Sequence, residues 1–166
     1  MAQPDPTFRI DPATPADVPL ILALIRELAE YEKLLDDVVA TEEMVHEALF
    51  GDSPHAEAVV ARVGDEPVGF ALYFHTFSTF LARPGLYLED LYVRPAHRGN
   101  GYGRRLLVHL ARIAVDRNCG RFEWSVLDWN ELAQATYRRA GAVPMDEWTV
   151  WRLTGESLRK LANEAD

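Results

Sequence analysis

Residues 94–105 read Arg-Pro-Ala-His-Arg-Gly-Asn-Gly-Tyr-Gly-Arg-Arg. Arg94, Arg98, Arg104 and Arg105 stand there with no acid among them, in a chain whose 17 Lys+Arg face 26 Asp+Glu for a net charge of −9. A local positive excess against that background points to a bound anion, and Gly99, Gly101 and Gly103 let the backbone come close to a bulky one. The segment leaves a strand-like run and opens a helix-like run. That geometry turns backbone N–H groups and the positive end of a helix toward one point, the physical basis of a phosphate site. Two common nucleotide loops are excluded by spacing. The phosphate loop of nucleotide hydrolases needs Lys-Ser/Thr after its last glycine, where this chain has Arg104-Arg105. The dinucleotide fingerprint needs Gly-x-Gly-x-x-Gly, and this loop is Gly-x-Gly-x-Gly.

The elements that must position this loop follow from periodicity. A short strand is expected over 7–10. Thr14-Pro15-Ala16-Asp17 is a helix start with a capping residue, a proline at the first turn and an acid at capping-box spacing. Behind it Val18, Ile21, Leu24, Ile25 and Leu28 recur at helical spacing. A second helix is expected from Thr41 to just before Gly51. The period then changes to that of strands, with a hairpin of 57–63 and 67–73 joined at Gly64-Asp65-Glu66. A loop over 76–85 leads to a strand over 86–93. Next come a helix over 104–117 with Leu106, Leu107, Leu110, Ile113 and Ala114 inward, a strand over 122–127, and a helix over 130–140 closed by Gly141. A last strand over 149–153 and a helix over 155–165 complete the chain. This order predicts a mixed α/β fold, with 166 residues forming one domain whose core runs from about 7 to 161.

The arrangement Arg98-x-x-Gly101-x-Gly103, between a strand and a helix, resembles the pyrophosphate-binding motif of the GNAT acetyltransferase superfamily. Leu86-Tyr-Leu-Glu-Asp-Leu-Tyr-Val93, Trp129-Asn130-Glu131, Tyr137-Arg-Arg-Ala-Gly-Ala142 and Ile25-Arg-Glu-Leu-Ala-Glu-Tyr-Glu32 are similar to its spermidine/spermine (diamine) and thialysine N-acetyltransferase branch. The likeness extends from about residue 9 to 161. It implies the GNAT fold, a mostly antiparallel sheet flanked by helices, whose central strands ending near Val93 and Leu127 splay to admit a cofactor arm. It implies acetyl-CoA as donor, with the pyrophosphate on Arg98, Gly99, Asn100, Gly101, Tyr102, Gly103 and Arg104. Leu91, Tyr92 and Val93 would hold the pantetheine, and Asn130, Ala133, Tyr137 and Arg139 would contact the same cofactor. The amine acceptor would lie against Tyr31, Glu32, Glu89, Asp90 and Trp124. Transfer would be direct, in a ternary complex, and the protein a homodimer in contact through the Trp-rich segment 148–153.

The residue chemistry agrees on separate grounds. An alkylamine has a pKa near 10.4 and must lose a proton before it attacks a thioester. A carboxylate acting through water suits that step, and a proton donor suits the departing thiolate. Glu89 lies mid-strand, where a charge faces a cleft, a partner or an ion pair. The Tyr137 phenol, with an ordinary pKa near 10, suits the donor role, its plainer use being helix packing. For Glu27, Glu30 and Glu32 a solvated helix face is the default reading. The loop 76–85 carries Arg83 and no acid, which leaves an amino-acid-like amine as open as a polyamine.

Other classes are disfavoured. The negative charge speaks against nucleic acid, which demands a basic face. The longest strongly apolar stretch, 18–25, falls far short of the roughly 20 residues that span a bilayer, and the first residues lack a signal peptide's basic start and apolar core. The single Cys119 excludes an intrachain disulfide framework and suits a cytoplasmic setting. No histidine pair has zinc-like spacing, so no metal is expected. A non-catalytic acyl-CoA sensor, a protein N-terminal acetyltransferase and a nucleotide-binding module stand as the alternatives.

Overall fold

A computed structural model describes residues 7–164. The described chain divides into two compact units, Met1–Ser125 and Val126–Asp166.

The first unit is built on a five-stranded sheet in the order β1 (Phe8–Pro12), β2 (Glu57–Val63), β3 (Glu66–Ser78), β4 (Arg83–Val93) and β5 (Phe122–Trp124). The first four strands pair antiparallel, and β5 joins β4 in parallel. On one face lie α1 (Val18–Glu32) and α2 (Glu42–Phe50). The helical repeat of α1 buries Val18, Ile21, Leu24 and Leu28 with Val45 and Leu49 of α2 against Ala58, Val60, Phe70 and Tyr92 of the sheet. Ile25, expected inward, is only half-buried. The capping residues behave as their types dictate: the Thr14 amide donates to Asp17 Oδ2 at 2.9 Å, and Thr41 Oγ1 accepts the Met44 amide at 3.2 Å. α3 (Tyr102–Asp116) covers β4 with Leu106, Leu107, Leu110 and Ala114 buried. Its far end is tied down where Arg117 bonds both carboxylate oxygens of Glu57, which also accepts the Tyr73 hydroxyl at 3.3 Å. Burial first, then the Glu57 charge, pushes the Tyr73 phenol up to about 12.

The hairpin is longer than its sequence suggests. Thr76–Ser78 pair with Arg83–Gly85, so the expected loop 76–85 shrinks to a turn at 79–82. Threonine and phenylalanine in that stretch are strand formers, and pairing carries them past the apolar core.

The second unit holds α4 (Glu131–Arg139) and α5 (Gly155–Ala162). Two expected strands need correction. The strand over 122–127 stops at Trp124, and residues 149–153 form no strand. Trp148, Val150 and Trp151 there are 75, 81 and 91% exposed; alternating apolar residues make a strand only when a neighbouring edge supplies the ladder hydrogen bonds. Of the expected terminal helix over 155–165, residue 165 lies outside the described residues.

Candidate active site

In β4, Leu86 and Leu88 are buried before the acids, and Tyr92 and Val93 after them. Strand geometry alternates faces with period two, yet the pairing with β3 jumps from Leu72↔Asp90 to Tyr73↔Leu88. Glu89 is the extra residue of a β-bulge, exposed and unpaired in the register. The bulge puts Asp90 and Tyr92 on the face that meets α1. Leu91 and Val93 turn the other way, where their methyls lie 3.8 and 3.9 Å from a Cβ built on Gly103. Two adjacent acids in an apolar run, with the apolar parity shifted across them, were the sign of this bulge in the sequence.

The bulge also gathers charge. Asp90 lies close to Glu89 and to Glu32 at the end of α1, and its carboxyl is pushed up to about 6, first by burial and then by the charges of Glu89 and Glu32. Burial raises the Glu32 carboxyl as well. Carboxylates that share a poorly solvated place favour protonation or a cation. Tyr31, beside Glu32, lies under the Arg98 guanidinium at 4.5 Å, and Tyr92 is 5.6 Å from it. Tyr31, Glu32, Glu89 and Asp90, the residues expected to face the amine, are therefore brought together in this unit. Trp124 stands at the end of β5, half-buried, its ring 4.9 Å from Phe122 and edge-on.

Beyond Trp124 no described strand of the sheet pairs with β4 on this side. β5 meets β4 only at Leu86↔Phe122, Tyr87↔Glu123 and Leu88↔Trp124, so the stretch from Glu89 to Val93 has an open edge. The β5 strand, expected to reach Leu127, ends at Trp124. At the end of that edge the chain enters the glycine loop. Among the described residues, the backbone N–H groups of Gly99, Asn100, Gly101, Gly103 and Arg104 donate to no backbone carbonyl, and the first bond of α3 is Arg105 N–H to Gly101 O at 3.0 Å. Gly101 caps the helix at φ 79° without a side-chain acceptor. Bare amides at a helix N-terminus form a cradle for an anion.

The three glycines are not equivalent. Gly99 and Gly101 have φ of 84° and 79°, with open space at the missing Cβ. Gly103 has ordinary backbone, and a methyl group there meets Leu91 and Val93 at van der Waals distance. Gly101→Ala is therefore expected to cost about 1–2 kcal/mol, the penalty for a left-handed L-residue. In a chain of this size that lowers Tm by roughly 2–8 °C, whereas Gly103→Ala leaves it within about 1 °C; scanning calorimetry of the two variants separates them.

Of the four loop arginines, three have structural partners. Arg94 clamps Glu27 with Nη2 at 2.7 Å and Nε at 3.1 Å, and donates from Nη1 to the Pro67 carbonyl at 2.9 Å. Arg98 Nε donates to the Val93 carbonyl at 3.0 Å. Arg105 lies 3.9 Å over the Phe8 ring. Arg104 is exposed and joins no ion pair among the described residues. Asn100 Nδ2 donates to the His97 carbonyl at 3.1 Å, and the buried Tyr102 stacks on Phe8 at 4.4 Å. The anion signal thus resides mainly in the main chain, with the arginines shaping the loop around it.

In the second unit, Asn130 caps α4, its Oδ1 accepting the Ala133 amide at 3.2 Å. Tyr137 lies half-buried one turn further along, its carbonyl accepting the Ala142 amide at 3.1 Å where Gly141 ends the helix at φ 91°. Arg139 bonds Thr136 Oγ1 at 3.1 Å.

Comparison with known proteins agrees with this construction. The family model "Acetyltransferase (GNAT) family" matches residues 23–142. The chain is 40% identical over 155 residues to the Bos taurus thialysine N-epsilon-acetyltransferase, covering 87% of this chain and 91% of that one. It is 31% identical to an Arabidopsis thaliana L-ornithine N5-acetyltransferase, covering 92 and 87%. Among solved structures, an integron cassette protein of V. cholerae superposes with a TM-score of 0.80 at 28% identity, over 95% of this chain and 99% of that one. A mixed sheet flanked by helices, a glycine loop at a helix N-terminus and a family match over most of its length together place the chain in the GNAT acetyltransferase family, and it is an N-acetyltransferase.

Proposed function

We propose that this chain transfers the acetyl group of acetyl-CoA to the primary amine of a small cationic molecule, by direct attack while both substrates are bound. The observation that carries the acceptor half is the group Glu32, Glu89 and Asp90, whose mutual repulsion a bound ammonium relieves. The family uses acetyl-CoA, and the glycine loop from Gly99 to Arg104, opening the positive end of α3, suits its pyrophosphate, while the β4 edge at Leu91, Tyr92 and Val93 suits an amide-bearing arm. Asn130, Ala133, Tyr137 and Arg139 complete the proposed donor contacts by family resemblance. When bound, acetyl-CoA supplies an acyl thioester with a thiolate leaving group.

The protein's own part is positioning and proton transfer. Asp90 and Glu32 hold the ammonium, with Tyr31 and Trp124 alongside. Glu89, exposed at the bulge, takes the proton through water, and the neutral amine is then the nucleophile. The Tyr137 hydroxyl gives a proton to the leaving sulfur. The hairpin turn and its flanks hold Arg83 and no acid, which suits an acceptor bearing a carboxylate better than a long polycation. The names of two relatives, a thialysine and an ornithine acetyltransferase, favour the same choice. We place the protein in the cytoplasm as a homodimer, the exposed Trp148, Val150 and Trp151 supplying apolar contact area; no helix among the described residues is long and apolar enough to cross a membrane.

The test is thiol release from acetyl-CoA across thialysine, lysine, ornithine, putrescine and spermidine. At least one amine is expected to reach kcat/KM of about 10⁴ M⁻¹s⁻¹ or more, the lower edge of ordinary enzymes, with the basic amino acids ahead of spermidine. Binding of acetyl-CoA without turnover of any amine would favour a sensor, and acetylation confined to protein N-termini would overturn the small-amine reading.

A further inference from the structure

The helix that opens at the glycine loop carries a second basic feature on its other flank. Between β1 and α3 lies a groove of about 390 Å³. Phe8 and Arg9 line it from the strand, and Arg104, Arg105, His109 and Arg112 from the helix. Among the described residues no carboxylate lines this groove, in a chain of net charge −9. The arginines at 105 and 112 are two helical turns apart, roughly 10 Å along the axis, with His109 between them on the same face. The groove is well built. Arg105 is fixed over the Phe8 ring at 3.9 Å and donates to the Phe8 carbonyl at 3.4 Å, and Arg9 is braced by Asp11 at 2.9 Å and Asp65 at 3.5 Å. Arg112 is exposed and forms no ion pair among the described residues. Burial, then the Arg112 charge, holds His109 below its ordinary range.

We propose that the groove between β1 and α3 is a second anion site, which takes a small, multiply charged oxyanion carrying two or more phosphate or carboxylate groups. Guanidinium forks match both groups in bidentate geometry, and the volume suits a compact metabolite. Arg104 stands at the seam between this groove and the glycine loop. Arg112, two turns further on, belongs to the groove alone. The groove shares Arg104 with the proposed acyl-donor cradle and otherwise extends away from it along α3, so a ligand here binds together with coenzyme A and provides a handle on the enzyme other than its substrates.

Calorimetric titration of the full chain, first saturated with coenzyme A, tests this with tripolyphosphate and citrate as separate probes at low ionic strength. At least one is expected to bind. Tighter tripolyphosphate identifies a phosphorylated ligand, and tighter citrate a polycarboxylate. Arg112→Glu is expected to weaken the better probe tenfold or more, with Arg112→Gln intermediate, while acetyl-CoA affinity stays within twofold. Failure of both anions to bind the coenzyme-saturated chain overturns the proposal, as does a probe that binds Arg112→Glu as tightly as the native chain. Neither result touches the acyl-transfer reading, which the amine assay tests by itself.

Discussion

Tyr137→Phe is expected to lower kcat for amine acetylation by 10²- to 10⁴-fold, the usual range for loss of a positioned acid or base, with acetyl-CoA affinity unchanged within twofold. The substitution removes one hydroxyl from a half-buried ring in α4 and keeps the ring's packing, so the fold is retained. The proposed role is donation to the departing thiolate, and that role has a signature a packing role lacks. An acetyl donor whose thiol has a lower pKa leaves without needing the proton, so the deficit of the Phe variant should shrink with such a donor. A Phe variant that turns over within twofold of the native chain would remove Tyr137 from the reaction. A deficit independent of the leaving thiol would assign it to substrate placement.

Much of this site was legible because its signals are local. Glycine spacing, the charge excess of 94–105 and the cap at Asn130 depend on residues within a few positions of each other, and the anion cradle and the start of α4 follow from them. The helical repeats of α1 and α3 were legible for the same reason: one face of each must be apolar to pack on a sheet. What could not be read was nonlocal. The arginines of 94–105 are charged whatever they touch, and nothing near Arg94 in sequence reveals that Glu27, on α1, receives it. The same pairing takes Glu27 out of the solvated face assigned to it. The bulge at Glu89 is a relation between β3 and β4, visible in one strand only as a break in alternation. The segment 149–153 has a strand's pattern, but no edge is paired with it. Arg112 and His109 read as the polar side of an amphipathic helix until β1 is laid beside them.

The Asp90 carboxyl yields the prediction in which stability and activity move in opposite directions. Its pKa in the folded chain, raised to about 6 by burial and by Glu89 and Glu32, exceeds that of an unfolded aspartate near 3.9. Between these values the folded state holds a proton that the unfolded state has lost, so stability falls as pH rises through this window and the full penalty applies above it. Asp90→Asn cannot ionise. Its melting temperature should match that of the native chain near pH 4, pull ahead through pH 6 and level off by pH 8, at an advantage of up to about 3 kcal/mol, two pKa units' worth. The amine, in contrast, loses one of the charges that hold its ammonium. A charged hydrogen bond contributes about 1.5–3 kcal/mol, so kcat/KM for the amine should fall roughly 10- to 100-fold, mainly through KM, with KM for acetyl-CoA unchanged. Equal thermal stability of the two proteins at pH 8 would mean that Asp90 is not held in the repulsive setting described. An unchanged amine KM would mean that the acceptor does not use it. A more stable but poorer enzyme is the outcome expected of a site that keeps acids together, against their repulsion, for a cation that arrives with the substrate.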